Sequence, residues 1–202
     1  MSAHYFTNKP DTDHDRKKWT FPLLGKTYTF ITDSNVFSRE TVDFGSRVLI
    51  EAFSDEDIPE GAILDVGCGY GPMGMSLADS TGRDVHMIDV NERSVSLAKE
   101  NASNNQVVNT TIYVSDIYNS VEKTDFAAII SNPPIRAGKK VVHEIIEESI
   151  NYLKKDGTLT IVIQKKQGAP SAKKKMEDVF GNVETVINKK GYYIYRSQKL
   201  DE

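Results

Sequence analysis

A chain of 202 residues, 39% hydrophobic and 27% charged, can bury one good core, so one domain with a short N-terminal addition is expected. Its net charge of −4 argues against a general nucleic-acid binder, but the charge is uneven: residues 1–135 carry 11 Lys and Arg against 20 Asp and Glu, and residues 136–200 carry 14 against 7. The single cysteine, Cys68, excludes an internal disulfide, and the chain opens without a signal-like segment and holds no 18-residue apolar stretch, so a soluble, reducing, cytoplasmic setting with no membrane is expected.

The first 20 residues are polar and charged, with His4, Tyr5, Phe6 and Trp19 scattered among them, and read as an arm or lid. Phe21 to Thr32 alternates in polarity around Gly25-Lys26, which predicts a small hairpin. From Thr41 to Phe53, Val42, Val48, Leu49, Ala52 and Phe53 recur at helical spacing. A strand–helix alternation then sets in, with a strand at Ala62–Val66, a helix at Met73–Asp79 and a strand at Asp84–Asp89. Asn91 is placed to cap a helix over Glu92 to about Asn104. Strands are predicted at Thr110–Val114, Phe126–Ser131 and Thr158–Ile163, with a helix from about Val141 to Tyr152 and Gly157 between them. A last helix, Ala172–Phe180, precedes strands Val183–Asn188 and Tyr192–Ser197, joined at Lys189-Lys190-Gly191. Strands so close must form a hairpin, because a parallel return needs about a dozen residues. The expected fold is therefore α/β: a mostly parallel seven-stranded sheet with one antiparallel strand near its C-terminal edge, and helices on both faces.

Two strand ends carry the chemistry. Gly67, Gly69 and Gly71 let the chain turn sharply after the first strand of this sheet and bring amides close to a ligand without a Cβ in the way. Asp65, which enters that turn, disfavours a phosphate and suits an ammonium group. Asp89 ends the second strand, where a carboxylate accepts from ribose hydroxyls. Asp116 follows the third strand, where it can accept from an adenine amino group while the Ile117 amide reads the ring. Cys68 is read as a small residue filling the turn.

Ser131-Asn132-Pro133-Pro134 closes the fourth strand. An exocyclic amine conjugated to a ring is a poor nucleophile. If the Asn132 side-chain oxygen and the Pro133 carbonyl accept its two protons, the nitrogen is oriented and gains electron density as it reacts. Pro133 and Pro134 stiffen the loop. Isoleucine at 135 can pack on a base but cannot stack as an aromatic ring, which favours guanine over adenine, with Phe37 or Tyr70 as other sources of stacking. Arg136, Lys139-Lys140, Lys165-Lys166 and Lys173-Lys174-Lys175 flank the same strand ends and suit RNA phosphates, the alternative being a solvated face. Gln164–Gly168 is expected as a wall of the acceptor pocket. Tyr192, Tyr193 and Tyr195 are expected to pack in the core and at the sheet edge, and the four histidines have no metal spacing.

The segments Thr32–Ser38, Val42–Ser46, Leu64–Gly71 and Ser131–Pro134 together resemble the class I S-adenosylmethionine methyltransferases, and more narrowly the family of ribosomal RNA small subunit methyltransferase C. The resemblance implies S-adenosyl-L-methionine as cofactor, bound through Asp65, Gly67, Cys68, Gly69, Gly71, Asp89, Val90, Asp116, Ile117 and Asn132. It implies methylation of a guanine N2 amine in small-subunit ribosomal RNA, with Asn132, Pro133 and Pro134 catalytic. Phe37, Ser38, Ile135, Arg136, Lys139, Lys165 and Lys166 would meet the substrate. Residues 1–38 would form an arm and hairpin packed on a methyltransferase domain of residues 39–202, and the chain would act as monomer or homodimer on ribosomal RNA or the small subunit. Longer family members carry a second, degenerate domain for which this chain has no room. An adenine-N6 or protein-glutamine methyltransferase, or a silent RNA-binding assembly factor, remain the alternatives.

Overall fold

The computed structural model describes residues 15–34 and 40–201. Strands β1 (Lys17–Leu23) and β2 (Lys26–Thr32) form a separate antiparallel hairpin. A seven-stranded sheet follows, built from β3 (Ile63–Val66), β4 (Val85–Asp89), β5 (Thr110–Val114), β6 (Phe126–Ser131), β7 (Leu153–Gln164), β8 (Glu184–Lys189) and β9 (Tyr192–Gln198). Its order is β5-β4-β3-β6-β7-β9-β8, and β9 alone runs opposite to the other six strands. Helices α1 (Phe44–Ala52), α2 (Pro72–Thr81) and α3 (Glu92–Asn104) share one apolar cluster with the hairpin, and α4 (Lys139–Ser149) and α5 (Ala169–Phe180) share another. Side chains alternate across a strand, so Ile63, Ala128 and Ile130 join the first cluster while Leu64, Val66 and Ile129 join the second. Every residue of β3 and β6 is buried, as a strand covered on both faces requires.

Several elements depart from the predicted bounds. Lys17–Thr20, expected in the N-terminal arm, already belong to β1. Trp19 holds them there, its ring 5.0 Å from that of Phe30 and its Nε1 donating to Thr32 Oγ1 at 3.0 Å. The hairpin turns at Leu24 and Gly25, with φ of 50° and 78°, one residue earlier than expected, because a two-residue turn of this twist needs positive φ at both centres. Helix α1 starts at Phe44 rather than Thr41 because Asp43 is its N-cap. Strand β7 begins at Leu153, five residues early. It runs through Gly157, where a Cβ would lie 2.9 Å from Lys154 O and 3.0 Å from Phe126 O, so only glycine allows the two strands to approach across their register shift.

The hairpin docks on α3 through two asparagines one turn apart. Asn101 accepts from Ile31 N (2.7 Å) and donates to Ile31 O (3.1 Å), and Asn105 does the same with Thr29 N (2.9 Å) and O (2.7 Å). These amides stand in for a neighbouring strand along the free edge of β2. Asn101 also donates to Tyr70 O at 2.9 Å, which ties the hairpin to the turn that follows β3.

Candidate active site

Strands β3 and β6 lie side by side with Val66 opposite Ser131, and their onward connections leave through helices on opposite faces. In an open parallel sheet such a switch point leaves a crevice at the C-terminal strand ends. The glycine turn and the Asn132 loop both sit there, joined by the Ser131 hydroxyl, which donates to Val66 O at 2.8 Å.

The turn is pinned to β4, with Gly67 N and Cys68 N both donating to Ile88 O at 2.9 and 2.8 Å. Gly67, Gly69 and Gly71 have φ of 77°, 57° and 103°, conformations that side chains resist. A Cβ on Gly69 would meet nothing within 4 Å, and one on Gly67 only Pro134 Cδ at 3.9 Å, so this part of the turn faces open space that a side chain would fill. Gly71 faces inward, where a Cβ would lie 2.9 Å from Met87 Cε. Cys68 is buried, its Sγ 3.5 Å from Gly69 O, and burial pushes its thiol well up, so it stays protonated and fills space.

Three acids follow from the successive strands. Asp65 is fully buried; one oxygen accepts from Gly74 N at 2.9 Å and the other, Oδ1, has no partner among the described residues. Burial pushes its carboxyl up to about 7 against the pull of the Gly74 amide, with Asp89 adding to the rise. Asp89 accepts from Gly69 N and Asn91 N, both at 2.9 Å, so it rigidifies the turn and opens α3 at once. Its carboxyl is also raised, mainly by burial. Val90 beside it is 49% exposed, an apolar surface at a strand end. Asp116 is exposed, in a loop folded around the Ser115 hydroxyl, which donates to Ile117 O (2.8 Å) and accepts from Ser120 N (3.0 Å); Ile117 there takes φ of 52°. These groups fit S-adenosylmethionine. Asp65 Oδ1 has no accessible surface, so it would act on an ammonium only through the field it sets behind the turn. Asp89 could accept from ribose hydroxyls, and Val90, Asp116 and Ile117 could line an adenine, above glycines that leave room for a ligand.

Asn132 supplies the most informative geometry. Its Nδ2 donates to Asp43 Oδ2 at 2.9 Å and to Ser46 Oγ at 3.1 Å. A carboxylate only accepts, so the amide nitrogen must face α1, and both its protons are used. Oδ1 therefore faces the other way, with no donor among the described residues. Gly45 lets the Tyr192 ring pack closely here, since a Cβ there would lie 3.1 Å from that ring, while Asn132 Nδ2, at 3.5 Å, would be in ordinary contact. Pro133 is buried and Pro134 exposed, and Pro134 O accepts from Ala137 N at 3.1 Å to close a 3-10 turn over Ile135–Ala137.

Asp43 and Ser46 had no role in the sequence reading, although both stand in the Val42–Ser46 segment. The available signal was the acid three residues before a serine at a helix start, which marks a cap; that the cap also grips Asn132, 89 residues away, is a tertiary fact. Arg136, Lys139, Lys140, Lys165 and Lys166 are exposed around the acceptor loop, and none makes an ion pair among the described residues. Lys165 N donates to Gly191 O at 2.9 Å, joining the end of β7 to the β8–β9 turn. Lys174 and Lys175, by contrast, pair with Asp178 and Glu147. Phe37 and Ser38 lie outside the described residues, as does the Ile135 side chain. Their described flanks are tied to the site: Arg93 donates to Ser34 O at 3.2 Å, and the Tyr70 hydroxyl to Thr41 O at 3.4 Å. Tyr195 is buried, while Tyr192 and Tyr193 are half-buried. Among the described residues no helix is long and apolar enough to cross a membrane.

Known proteins resemble this chain in sequence and fold. The "Uncharacterized protein YbxB" of Bacillus subtilis is 54% identical over 202 residues, covering 99% of this chain and 100% of that protein. Ribosomal RNA small subunit methyltransferase C of Idiomarina loihiensis is 30% identical over 186 residues, covering 90% of this chain and 53% of that protein, and that of Erwinia tasmaniensis is 28% identical, covering 95% and 55%. The chain thus spans about half the length of these methyltransferase C relatives. The solved structure of the T. thermophilus 16S rRNA N2 methyltransferase (RsmC), in complex with AdoMet and guanosine, has the same fold, with a TM-score of 0.82 at 24% identity over 94% of this chain and 52% of that one. Residues 27–196 match the methyltransferase small domain, and the chain belongs to that family, as a class I methyltransferase with S-adenosylmethionine as its cofactor.

Proposed function

We propose that this protein methylates the exocyclic N2 amine of a guanine in small-subunit ribosomal RNA, in the cytoplasm. The observation that carries the reading is the Asn132 amide, whose nitrogen is held by Asp43 and Ser46 so that its oxygen is the group offered to a substrate. An acceptor oxygen fixed beside a cofactor cleft suits an amine, which has protons to give. Guanine is favoured by the relatives named ribosomal RNA small subunit methyltransferase C and by the guanosine in the T. thermophilus structure. RNA is favoured by Arg136, Lys139, Lys140, Lys165 and Lys166, cations around the acceptor loop without acid partners among the described residues.

S-adenosylmethionine supplies an electrophilic methyl group on a sulfonium sulfur. Asn132 Oδ1 and the Pro133 carbonyl accept the two amine protons and hold the nitrogen lone pair toward that methyl. They bind more strongly as positive charge develops on nitrogen, so they favour the transition state over bound substrate. With the cofactor bound, Asn132 Oδ1 and the Pro133 carbonyl hold the amine, and the proton the amine gives up leaves to water. No strong base is required, and positioning provides most of the rate.

The test is methyl transfer from labelled S-adenosylmethionine to unmodified small subunits and to naked ribosomal RNA, followed by nucleoside mass analysis. N2-methylguanosine is the expected product, and N6-methyladenosine or methylated glutamine would refute the assignment. Asn132→Ala should abolish transfer while cofactor binding survives; loss of both would remove the role given to Asn132.

A further inference from the structure

Beside the acceptor loop lies a cluster that the reaction as described does not use. Phe44 opens α1, and two cations converge on its ring, the Arg47 guanidinium and the Lys190 ammonium, each 5.3 Å from the ring centroid. Arg47 also lies 5.5 Å from the Phe21 ring, and Tyr192 meets Phe44 edge-on at 5.3 Å. The cluster adjoins the acceptor amide through Gly45, where a Cβ would touch both the Tyr192 ring and Asn132 Nδ2.

The nearby acids are turned elsewhere. Asp43, one turn before Arg47, directs Oδ2 to Ser46 N and Asn132, and Glu51, one turn after, is 4.0 Å from Lys189. Neither Arg47 nor Lys190 makes an ion pair or a side-chain hydrogen bond among the described residues, and Arg47 Nε is buried without a partner. Arg47 is half-buried and gripped by two rings, so it is not a freely solvated charge. Two unneutralised cations facing one ring are an arrangement that an anion between them stabilises. Flat apolar rings beneath them suit a ribose or a base.

We infer that Arg47 and Lys190 form a phosphate subsite for the nucleotide next to the methylated base, with Phe44 and Tyr192 as its floor. This subsite flanks Asn132 on the α1 side. Lys165, whose backbone nitrogen donates to Gly191 O beside Lys190, adjoins it, while Lys139 and Lys140 of α4 lie toward the other face of the sheet, so the RNA strand runs through the acceptor site with cations on both sides. The inference rests on the RNA reading above.

The experiment measures affinity for a guanine-containing single-stranded RNA by fluorescence anisotropy at 50 and 200 mM salt, without methyl donor, for the wild type, Lys190→Ala, Arg47→Gln and Arg47→Lys. Lys190 is exposed, so its variant should fold normally; cofactor affinity checks each protein. Lys190→Ala and Arg47→Gln should each weaken RNA binding several-fold and flatten the salt slope by about 0.7, as loss of one phosphate contact on a single strand does. Arg47→Lys should recover most of the loss. A wild type that methylates RNA, with variants unchanged in affinity and slope, overturns the subsite and leaves the proposed reaction standing. A wild type that binds no RNA, but binds an acidic peptide or methylates a protein, overturns both.

Discussion

Replacing Asp43 separates its two tasks. Its Oδ2 caps α1 by accepting from Ser46 N at 3.1 Å and orients Asn132 by accepting from Nδ2 at 2.9 Å. Asp43→Ser retains a good N-cap but is too short to reach Asn132, so the melting temperature should stay within about 2 °C of the wild type. The lost hydrogen bond to a charged partner has a typical net value of about 1.5–3 kcal/mol. Because this bond fixes the oxygen that receives the amine, the loss should fall on kcat, by about 10–150-fold, with cofactor affinity unchanged. Asp43→Asn keeps cap and acceptor without the charge and should lose less, about 3–10-fold. Asp43→Ala loses the cap as well, costing a further ~1 kcal/mol or about 2–4 °C. The assays are single-turnover methyl transfer at saturating donor, calorimetric titration of the cofactor, and thermal melts. An Asp43→Ser protein with wild-type kcat would refute the reasoning, as would one whose deficit lies in cofactor affinity.

Asp65 makes a pH-dependent prediction. Its carboxyl is raised from 3.8 to about 7, so in the unligated protein stability present at low pH is lost as pH rises from about 4 through 7. Asp65→Asn should therefore melt higher than the wild type at pH 8, by about 4 kcal/mol at most, and lose this advantage near pH 4. Calorimetry should also show wild-type cofactor affinity rising between pH 6 and 8, with that of Asp65→Asn flat. Asn101→Ala strips a fully buried amide from Ile31 and Tyr70 and should cost about 2–4 kcal/mol, read as a melting point lower by about 5–15 °C with the hairpin exchanging amide protons first. Gly71→Ala and Gly69→Ala should differ in kind. The first sets a Cβ against the Met87 terminal methyl, which can shift, and against Ala98 at an unfavourable φ, and should cost about 1–3 kcal/mol of stability; the second should cost about 1 kcal/mol but lose cofactor affinity, since its Cβ enters the open side of the turn.

Local information determined much of this protein. The extents of α3, β5 and β6 were legible because each is bounded by its own signals, such as the Asn91 cap that accepts from Arg93 N and Ser94 N, or the apolar run ending at Ser131-Asn132. The glycine turn and the acids at successive strand ends were legible for the same reason: a sharp turn and a strand terminus are properties of neighbouring residues. Element starts were less so. Trp19 joins a strand because Phe30 and Tyr70 offer it a surface, and β7 starts early because Gly157 lets two backbones approach, neither of which is written nearby in the chain. Tertiary structure alone decided that Asn101 and Asn105 act as the missing neighbour of β2, and that Asp65 turns inward, leaving one oxygen unpaired among the described residues. It also decided which atom of Asn132 faces the cleft, because the partners that hold its nitrogen come from a helix some 90 residues earlier. A residue's type names the hydrogen bonds it can make, and only the folded chain decides which of them are already spent and which remain for a substrate.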